Sequence, residues 1–411
     1  ENKKKRWLFL GVTVVLLLGS VLLFFTKTVT VKMLPFDNKN EFQIVIDMPE
    51  GTTLERTAIV TKEVSQYLAT VPEVVDYQNY IGTSAPITFN GLVRHYDLRG
   101  GSNMADIQVN LLHKADRDLQ SHDIAKIVRP EVQKIGAKYG ANVKVVEVPP
   151  GPPVLSTIVA EVYGPDYDQQ IEVARQVKEI LENTDDIVDI DWMVEGDQTE
   201  YRLEVDKEKA MLNGIAPQQV VATLTTILGE HPVSTLYDET ANESIGIVLS
   251  LEDSEKSSLD AIQNIKIKSS QGFTIPISDL VAVKKDTLKK TIYRKDQKSL
   301  VYITADMAGG LESPVYAILG MEEKLQKIKL PVGYKINELY MEQPSDESDF
   351  TVKWDGEWQI TLEVFRDLGA AFLIVIVIIY MLIVGWFQNF KTPIVMMVAI
   401  PLSLIDIVLD H

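Results

Sequence analysis

The 411-residue chain carries 40 Lys and Arg against 58 Asp and Glu, a formal charge of -18; nucleic-acid binding, which relies on clustered cations to neutralise phosphates, is therefore excluded. With no cysteine there is no disulfide framework, no zinc–thiolate site and no thiol nucleophile. A mean hydropathy of +0.03 hides a division between apolar runs and a polar, acidic middle, and the length exceeds one ordinary core.

The first apolar run, Trp7 to Phe25, is uncharged, and at about 1.5 Å per residue it is roughly long enough to cross about 30 Å of hydrocarbon. The basic flank Lys3 to Arg6 also suits a signal peptide. Against that, the apolar core exceeds the roughly 7–15 residues of such peptides, and Thr26-Lys27-Thr28 follows in place of a small-residue cleavage site. Residues 1–28 are expected to be a cytoplasmic basic flank and a transmembrane helix.

Residues 42–48 (FQIVIDM) predict a strand, 53–70 an amphipathic helix with Leu54, Ala58, Val64 and Leu68 on its apolar side, and 74–81 a second strand. Residues 105–112, 121–139 and 142–148 repeat the order strand, helix, strand. Two such units back to back predict a ferredoxin-like, split βαβ sandwich over 29–152. Between them runs a long, glycine-rich and aromatic loop, 82–103 (GTSAPITFNGLVRHYDLRGGSN), of the kind that often carries function. The proline-rich stretch 149–153 is a natural boundary.

The pattern then recurs as strand 158–163, helix 167–183 and strand 187–193. Its second half, 300–306, 314–328 and 334–339, comes only much later. A second α/β unit over 153–196 and 275–345 is thus split by an insert, 197–274. Within the insert Asn213-Gly214 suits a helix C-terminus and Pro217 the first turn of the next helix, with hairpin-like strands near Thr235 and Ile247.

Trp354 to Trp358 and the following ITLEVF predict a linker helix lying at a membrane interface over 346–366. A second uncharged run, Leu368 to Phe387, marks a transmembrane helix over 367–388, and 392–411 opens a further span, interrupted by Asp406 and Asp410. Lys3 to Arg6 and Lys391 should both face the cytoplasm, which places the middle of the chain outside it. The start at Glu1 and the end at His411 inside an apolar stretch read as cuts from a longer protein. The fold class is an α+β membrane protein.

Enzymatic motifs are missing: no Walker A sequence, no G-x-S-x-G and no H-E-x-x-H. The five histidines, His95, His113, His122, His231 and His411, show no close ligand spacing, so no metal site is expected.

Several segments closely resemble the resistance-nodulation-division efflux permeases of the acriflavine-resistance, hydrophobe-amphiphile type. They are LPFDNKNEFQIVIDMPEGTTLERT (34–57), FNGLVRHY (89–96), ADIQVNLL (105–112), DKEKAMLNGIAPQQV (206–220) and FQNFKTPIVMMVAIPLSL (387–404). The wording after the first span is similar to the C-terminal half of such proteins. The resemblance implies two ferredoxin-like porter subdomains, the second split by a docking (funnel) subdomain. It also implies a multi-pass inner-membrane protein that exports hydrophobic or amphiphilic compounds by alternating access of its periplasmic porter domains, driven by a proton gradient and without a cofactor. The expected partners are two further copies in a homotrimer, the lipid bilayer and, in a Gram-negative host, a periplasmic adaptor and an outer-membrane channel.

In the relatives the loop corresponding to 82–103 gates the drug path, so Phe89, Leu92 and Tyr96 are candidate substrate contacts. The alternative is that these apolar groups pin the loop to its sheet. The proton-relay residues of the family lie in spans outside this chain. Methionines are scattered singly, which favours apolar compounds over copper or silver. Two other readings stay open, the extracytoplasmic domain of an ATP-powered exporter permease and a non-transporting membrane-anchored sensor or adhesin.

Overall fold

The computed structural model describes residues 3–26, 36–148, 154–229, 232–252, 256–310, 312–400, 402–403 and 405. Two compact units result, one of Glu1–Gly196 with Lys290–His411 and one of Asp197–Lys289.

The larger unit opens with helix α1 (Lys3–Phe25). A four-stranded antiparallel sheet follows, from β1 (Glu41–Asp47), β2 (Val74–Thr83), β3 (Gly100–Leu111) and β4 (Asn142–Val146), in the order β2-β3-β1-β4. Alternation sorts its two faces: Phe42, Ile44, Ile46, Ile107, Val109, Val143 and Val145 point one way into a core. Helices α2 (Leu54–Leu68) and α4 (Ser121–Ala137) close that core with Val60, Val64 and Leu68, and with Ile124, Val128 and Val132. Between β2 and β3 the loop folds a short helix, α3 (Phe89–Arg94).

The inward face of α2 differs from the expected one. Thr57, Thr61 and Ser65 are buried beside Val60, Val64 and Leu68, whereas Leu54 is exposed. The hydroxyls are tolerated because each donates to a backbone carbonyl one turn earlier, Thr61 Oγ1 to Thr57 O at 2.8 Å and Ser65 Oγ to Thr61 O at 2.8 Å.

The second α/β layer starts with β5 (Ile158–Tyr163), α5 (Tyr167–Glu182) and β6 (Ile187–Trp192). Asp166 caps α5, its side chain accepting from Gln169 N at 3.0 Å. The chain then enters the smaller unit through β7 (Thr199–Val205), α6 (Lys207–Leu212), α7 (Pro217–Leu228), and the hairpin β8 (Pro232–Leu236) and β9 (Ile245–Val248). It continues as α8 (Leu259–Gln263), β10 (Lys266–Lys268), β11 (Thr274–Pro276), α9 (Ile277–Leu280) and β12 (Val281–Thr287). Its own core gathers Ala210, Ile215, Val220, Leu224, Ile267 and Ile277. Gly214 stops α6 at φ +67 and Pro217 opens α7. The insert runs past the expected end at 274, because β12 pairs antiparallel with β7 from Val281 opposite Val205 to Thr287 opposite Thr199.

Back in the larger unit, β13 (Tyr293–Lys295) and β14 (Lys298–Met307) form a hairpin whose two turn residues, Asp296 and Gln297, both have positive φ. Next come α10 (Pro314–Leu325), β15 (Ile336–Leu339), β16 (Phe350–Gly356), α11 (Glu357–Phe387) and α12 (Lys391–Met397). The sheet order is β13-β14-β5-β16-β15, with β6 also on β14.

Two expectations are corrected here. Residues 336–339 do not close the layer beside β5. That place belongs to β16, and β15 lies outside it, parallel to it. The interfacial linker helix expected over 346–366 is therefore a strand up to Gly356, and the helix begins at Glu357. Phe350, Val352 and Trp354 enter the core with Trp358, while Thr351, Lys353 and Asp355 take the other face.

Among the described residues one helix, α11, is long and apolar enough to cross a membrane, by length and composition; the apolar stretch Trp7–Leu23 of α1 is shorter. The third run is helical over Lys391–Met397, and Asp406 and Asp410 lie outside the described residues.

Candidate functional site

The loop between β2 and β3 is shaped first by local caps and turns. Thr88 Oγ1 accepts from Gly91 N at 3.2 Å to start α3, and His95 ends it in the left-handed region at φ +57. A 3-10 turn, Tyr96–Leu98, returns the chain to β3. Ile87, Leu92 and Leu98 are 70%, 58% and 78% exposed, an apolar surface held away from either core. Of the three candidate residues, Leu92 points outward and Tyr96 is partly buried. Phe89 opens α3, and its side chain lies outside the described residues.

Ionic contacts pin this loop from two sides. Arg99, at its foot, reaches Asp106 and Asp47 with its two terminal nitrogens and donates to Ile46 O at 3.1 Å. Asp106 Oδ2 also accepts from Ala85 N at 2.9 Å and from Gln43 Nε2 at 3.0 Å. The Tyr96 ring lies 5.6 Å from the Arg99 guanidinium, within cation–π reach. Burial raises the Tyr96 phenol, with Lys144 and Arg94 pulling against it. Lys144 bridges Asp47 Oδ2, at 2.8 Å, and Asp191 of β6, so the charged face of the first sheet runs into the second layer.

Arg94 is the tie at the loop's other side. It is buried, with Nη1 at 2.7 Å from Asp306 Oδ2 and Nη2 at 3.3 Å from Oδ1. Asp306, near the end of β14, also accepts from Ser156 Oγ at 2.8 Å and from Thr157 N and Oγ1, both at 3.0 Å. Burial works against the Asp306 charge, but the Arg94 cation and these donors outweigh it and hold the carboxyl well below the usual range.

A second cluster joins the two layers near α4. His122 Nδ1 lies 2.9 Å from Glu147 Oε2 and its Nε2 2.9 Å from Glu312 Oε1, with Phe36 stacked on the ring at 4.3 Å. Burial pulls the imidazole down, yet the two carboxylates together raise it to about 9. Lys126 Nζ sits 3.0 Å from Glu312. Arg129 Nε donates to Asp189 Oδ2 at 2.9 Å, and burial pushes Asp189 up to about 6 against the pull of that arginine. Both ring nitrogens of His122 are thus engaged by carboxylates.

An open groove of about 630 Å³ beside β15 shares no lining residue with the loop; its walls include Glu322, Glu338, Glu342, Asp346 and Asp349.

A model of the AcrB/AcrD/AcrF family matches residues 3–410. The chain belongs to that family. Among curated relatives of this AcrB/AcrD/AcrF chain, the swarming motility protein SwrC of Bacillus subtilis is 20% identical over 411 residues, which is 97% of this chain and 34% of SwrC. An uncharacterized transporter of Haemophilus influenzae is 19% identical over 384 residues, 93% of this chain and 34% of that protein. The chain therefore spans about a third of the length of the curated relatives it matches. A crystal structure of a heavy metal efflux pump superposes with a TM-score of 0.74 at 18% identity, covering 96% of this chain and 38% of the pump, and a second crystal form gives 0.74 at 17%. At that identity the likeness is one of fold.

Neither Arg94, Asp306 nor Glu312 is among the sequence candidates. The available signal is Arg94 itself, a cation set amid the aromatic and apolar residues of a glycine-rich loop.

Proposed function

We propose that the chain is half, by wording the C-terminal half, of an inner-membrane resistance-nodulation-division permease that exports hydrophobic or amphiphilic compounds. Its two α/β layers act as ferredoxin-like porter subdomains that alternate access, the insert serves docking, and a proton gradient drives the cycle. The strand orders β2-β3-β1-β4 and β6-β14-β5-β16, each with two helices, support the porter reading. The apolar runs of α1 and α11 suit two crossings, with Lys3 to Arg6 and Lys391 cytoplasmic. By resemblance to the family the working form is a homotrimer, joined in a Gram-negative host by a periplasmic adaptor and an outer-membrane channel.

The observation that carries the substrate class is the loop: Ile87, Leu92 and Leu98 are held out by Arg94 and Arg99, which bind different sheets. Heavy-metal export is the second reading, favoured by the fold likeness to heavy metal efflux pumps. Against it, residues 82–103 contain no Met and no Cys and a single His, His95, a poor donor set for a soft cation.

The test is export by the full-length transporter in a drug-sensitive host. Phe89→Ala and Leu92→Ser should each change the profile of apolar dyes and detergents tolerated while copper and silver tolerance stays constant and assembly is intact. Unchanged resistance to every organic compound, with metal tolerance lost, would replace this reading by the second.

A further inference from the structure

A continuous line of hydrogen bonds joins the exposed loop to the root of the membrane helix. Asp306 takes Arg94 of α3 on one side and Thr157 N and Oγ1 on the other. The carbonyl of that same Thr157 accepts from Glu357 N, the first residue of α11, at 3.2 Å. The turn from β16 into α11 is made by Gly356 at φ +78, where an added Cβ would stand 2.6 Å from Ser156 O and 3.0 Å from Thr157 O. Only glycine lets the helix start this close to the residues that hold Asp306.

The root of α11 is also fixed to the second layer. Trp358 is buried in its core and donates Nε1 to Tyr340 O at 3.0 Å, and Gln359 accepts from the fully buried Lys353. A displacement of α11 therefore moves the edge of β16 and β5 with it. Asp306 lies against that edge, and Arg94 spans from it to the other layer's loop. Packed elements shift as bodies and do not stretch, so a displacement of this kind is passed on whole.

We infer that Arg94 and Asp306 are the positioning pair through which movement of α11 reaches the loop that carries Leu92. The inference deepens the proposed function and rests on its reading of α11 as a membrane helix and of the loop as substrate path. Leu92 faces the compound; Arg94 sets where Leu92 stands. Coupling of this sort needs evidence that both ends respond together, beyond their lying along one path.

The experiment uses the full-length transporter in nanodiscs, with hydrogen exchange read by mass spectrometry and Nile red efflux from proteoliposomes read in parallel. The double variant Arg94→Gln/Asp306→Asn removes both charges, so no unpaired ion is left buried, and Arg94→Lys keeps the charge. In the double variant, exchange in 89–98 and in 356–361 should rise together by about tenfold while β1 (Glu41–Asp47) keeps its protection. Nile red efflux should fall by about fivefold in the double variant and recover partly in Arg94→Lys. Faster exchange confined to 89–98, with 356–361 as in the wild type, overturns the tie. A wild type that does not move Nile red overturns the transport reading, and the joint change in exchange still decides the tie by itself.

Discussion

His122 Nε2 stands 2.9 Å from Glu312 Oε1 while its Nδ1 holds Glu147, so one imidazolium closes the contact between the two α/β layers. The folded protein raises this histidine from its ordinary 6.5 to about 9, despite the burial that opposes it. A raised pKa means that the stabilisation is fully present below about 6.5 and disappears as the pH climbs through about 9. The shift corresponds to on the order of 3 kcal/mol. Thermal unfolding should therefore show the melting temperature falling between pH 7 and pH 9.5, and His122→Gln should flatten that fall. An equal slope in the variant would show that His122 does not carry the dependence.

Gly356→Ala tests the turn between β16 and α11. Alanine there meets Ser156 O at 2.6 Å and must adopt φ +78 with ψ -142, a backbone region essentially confined to glycine and costing on the order of 1–3 kcal/mol before any clash is counted. We expect the melting temperature to drop. Gly272→Ala, at φ +95 with nothing within 4 Å, serves as the comparison with strain but no collision. Equal losses in the two variants would mean that the close approach to Ser156 and Thr157 contributes nothing.

Trp354 distinguishes a core strand from an interfacial helix. It is fully buried and donates Nε1 to Glu338 Oε1 at 2.7 Å. Trp354→Ala should cost about 3–5 kcal/mol through lost burial and the cavity left behind. Trp354→Phe keeps most of the buried ring and loses one hydrogen bond to Glu338, which stays open to the groove and bonded to Tyr340, so it should cost clearly less than alanine. Denaturant titration of both variants checks the ranking, and tolerance of alanine would return the segment to the membrane interface.

What local pattern could reveal, it did: β1, β3 and β5 are apolar runs, α5 has an Asp cap, and Pro217 and Gly214 punctuate the insert. The face of α2 was misread because its buried hydroxyls bond within their own helix, and other readings failed because polar groups are buried by distant partners. Lys353 and Asp355 fall in the segment read as an interfacial helix, and nothing nearby in sequence announces Glu161 or Lys295, which neutralise them across the sheet. Arg94 and Asp306 are 212 residues apart, so their pairing leaves no periodic trace. Likewise β12 belongs with β7 only once the insert has folded. The loop's place between β2 and β3 was legible, whereas the charges that position it, Arg94 with Asp306 and Arg99 with Asp106, were not.

The buried hydroxyls of α2 predict a small effect where burial alone would suggest a large one. Thr61 Oγ1 donates to Thr57 O, a carbonyl of its own helix, and the residue is fully buried. Thr61→Val keeps the shape and removes a donor whose acceptor can be served by the helix ladder, so the stability change should stay within about 1 kcal/mol. Ser65→Ala loses, in addition, the 2.8 Å contact with Asn79 Oδ1 of β2 and should be the worse of the two. A large loss at Thr61 would indicate that its hydroxyl has a structural partner beyond the helix.

Arg99 offers the sharpest test of how the loop is held. Its guanidinium serves Asp106, Asp47 and Ile46 O at once and lies under the Tyr96 ring, a set of contacts that needs a planar fork. Lysine keeps the charge but can reach only part of the set. Arg99→Lys should therefore leave β1 and β3 paired while freeing the 3-10 turn that carries Tyr96 and Leu98. Chymotrypsin, which cuts after such residues, should cleave within 87–98 about tenfold faster than in the wild type, because cleavage follows the population of the opened loop. Asp106→Asn strips the carboxylate that also accepts from Ala85 N and Gln43 Nε2, so it should loosen both ends of the loop and accelerate cleavage further. If Arg99→Lys resists the protease as the wild type does, the loop is held by Arg94 alone, and the second anchor has no mechanical role.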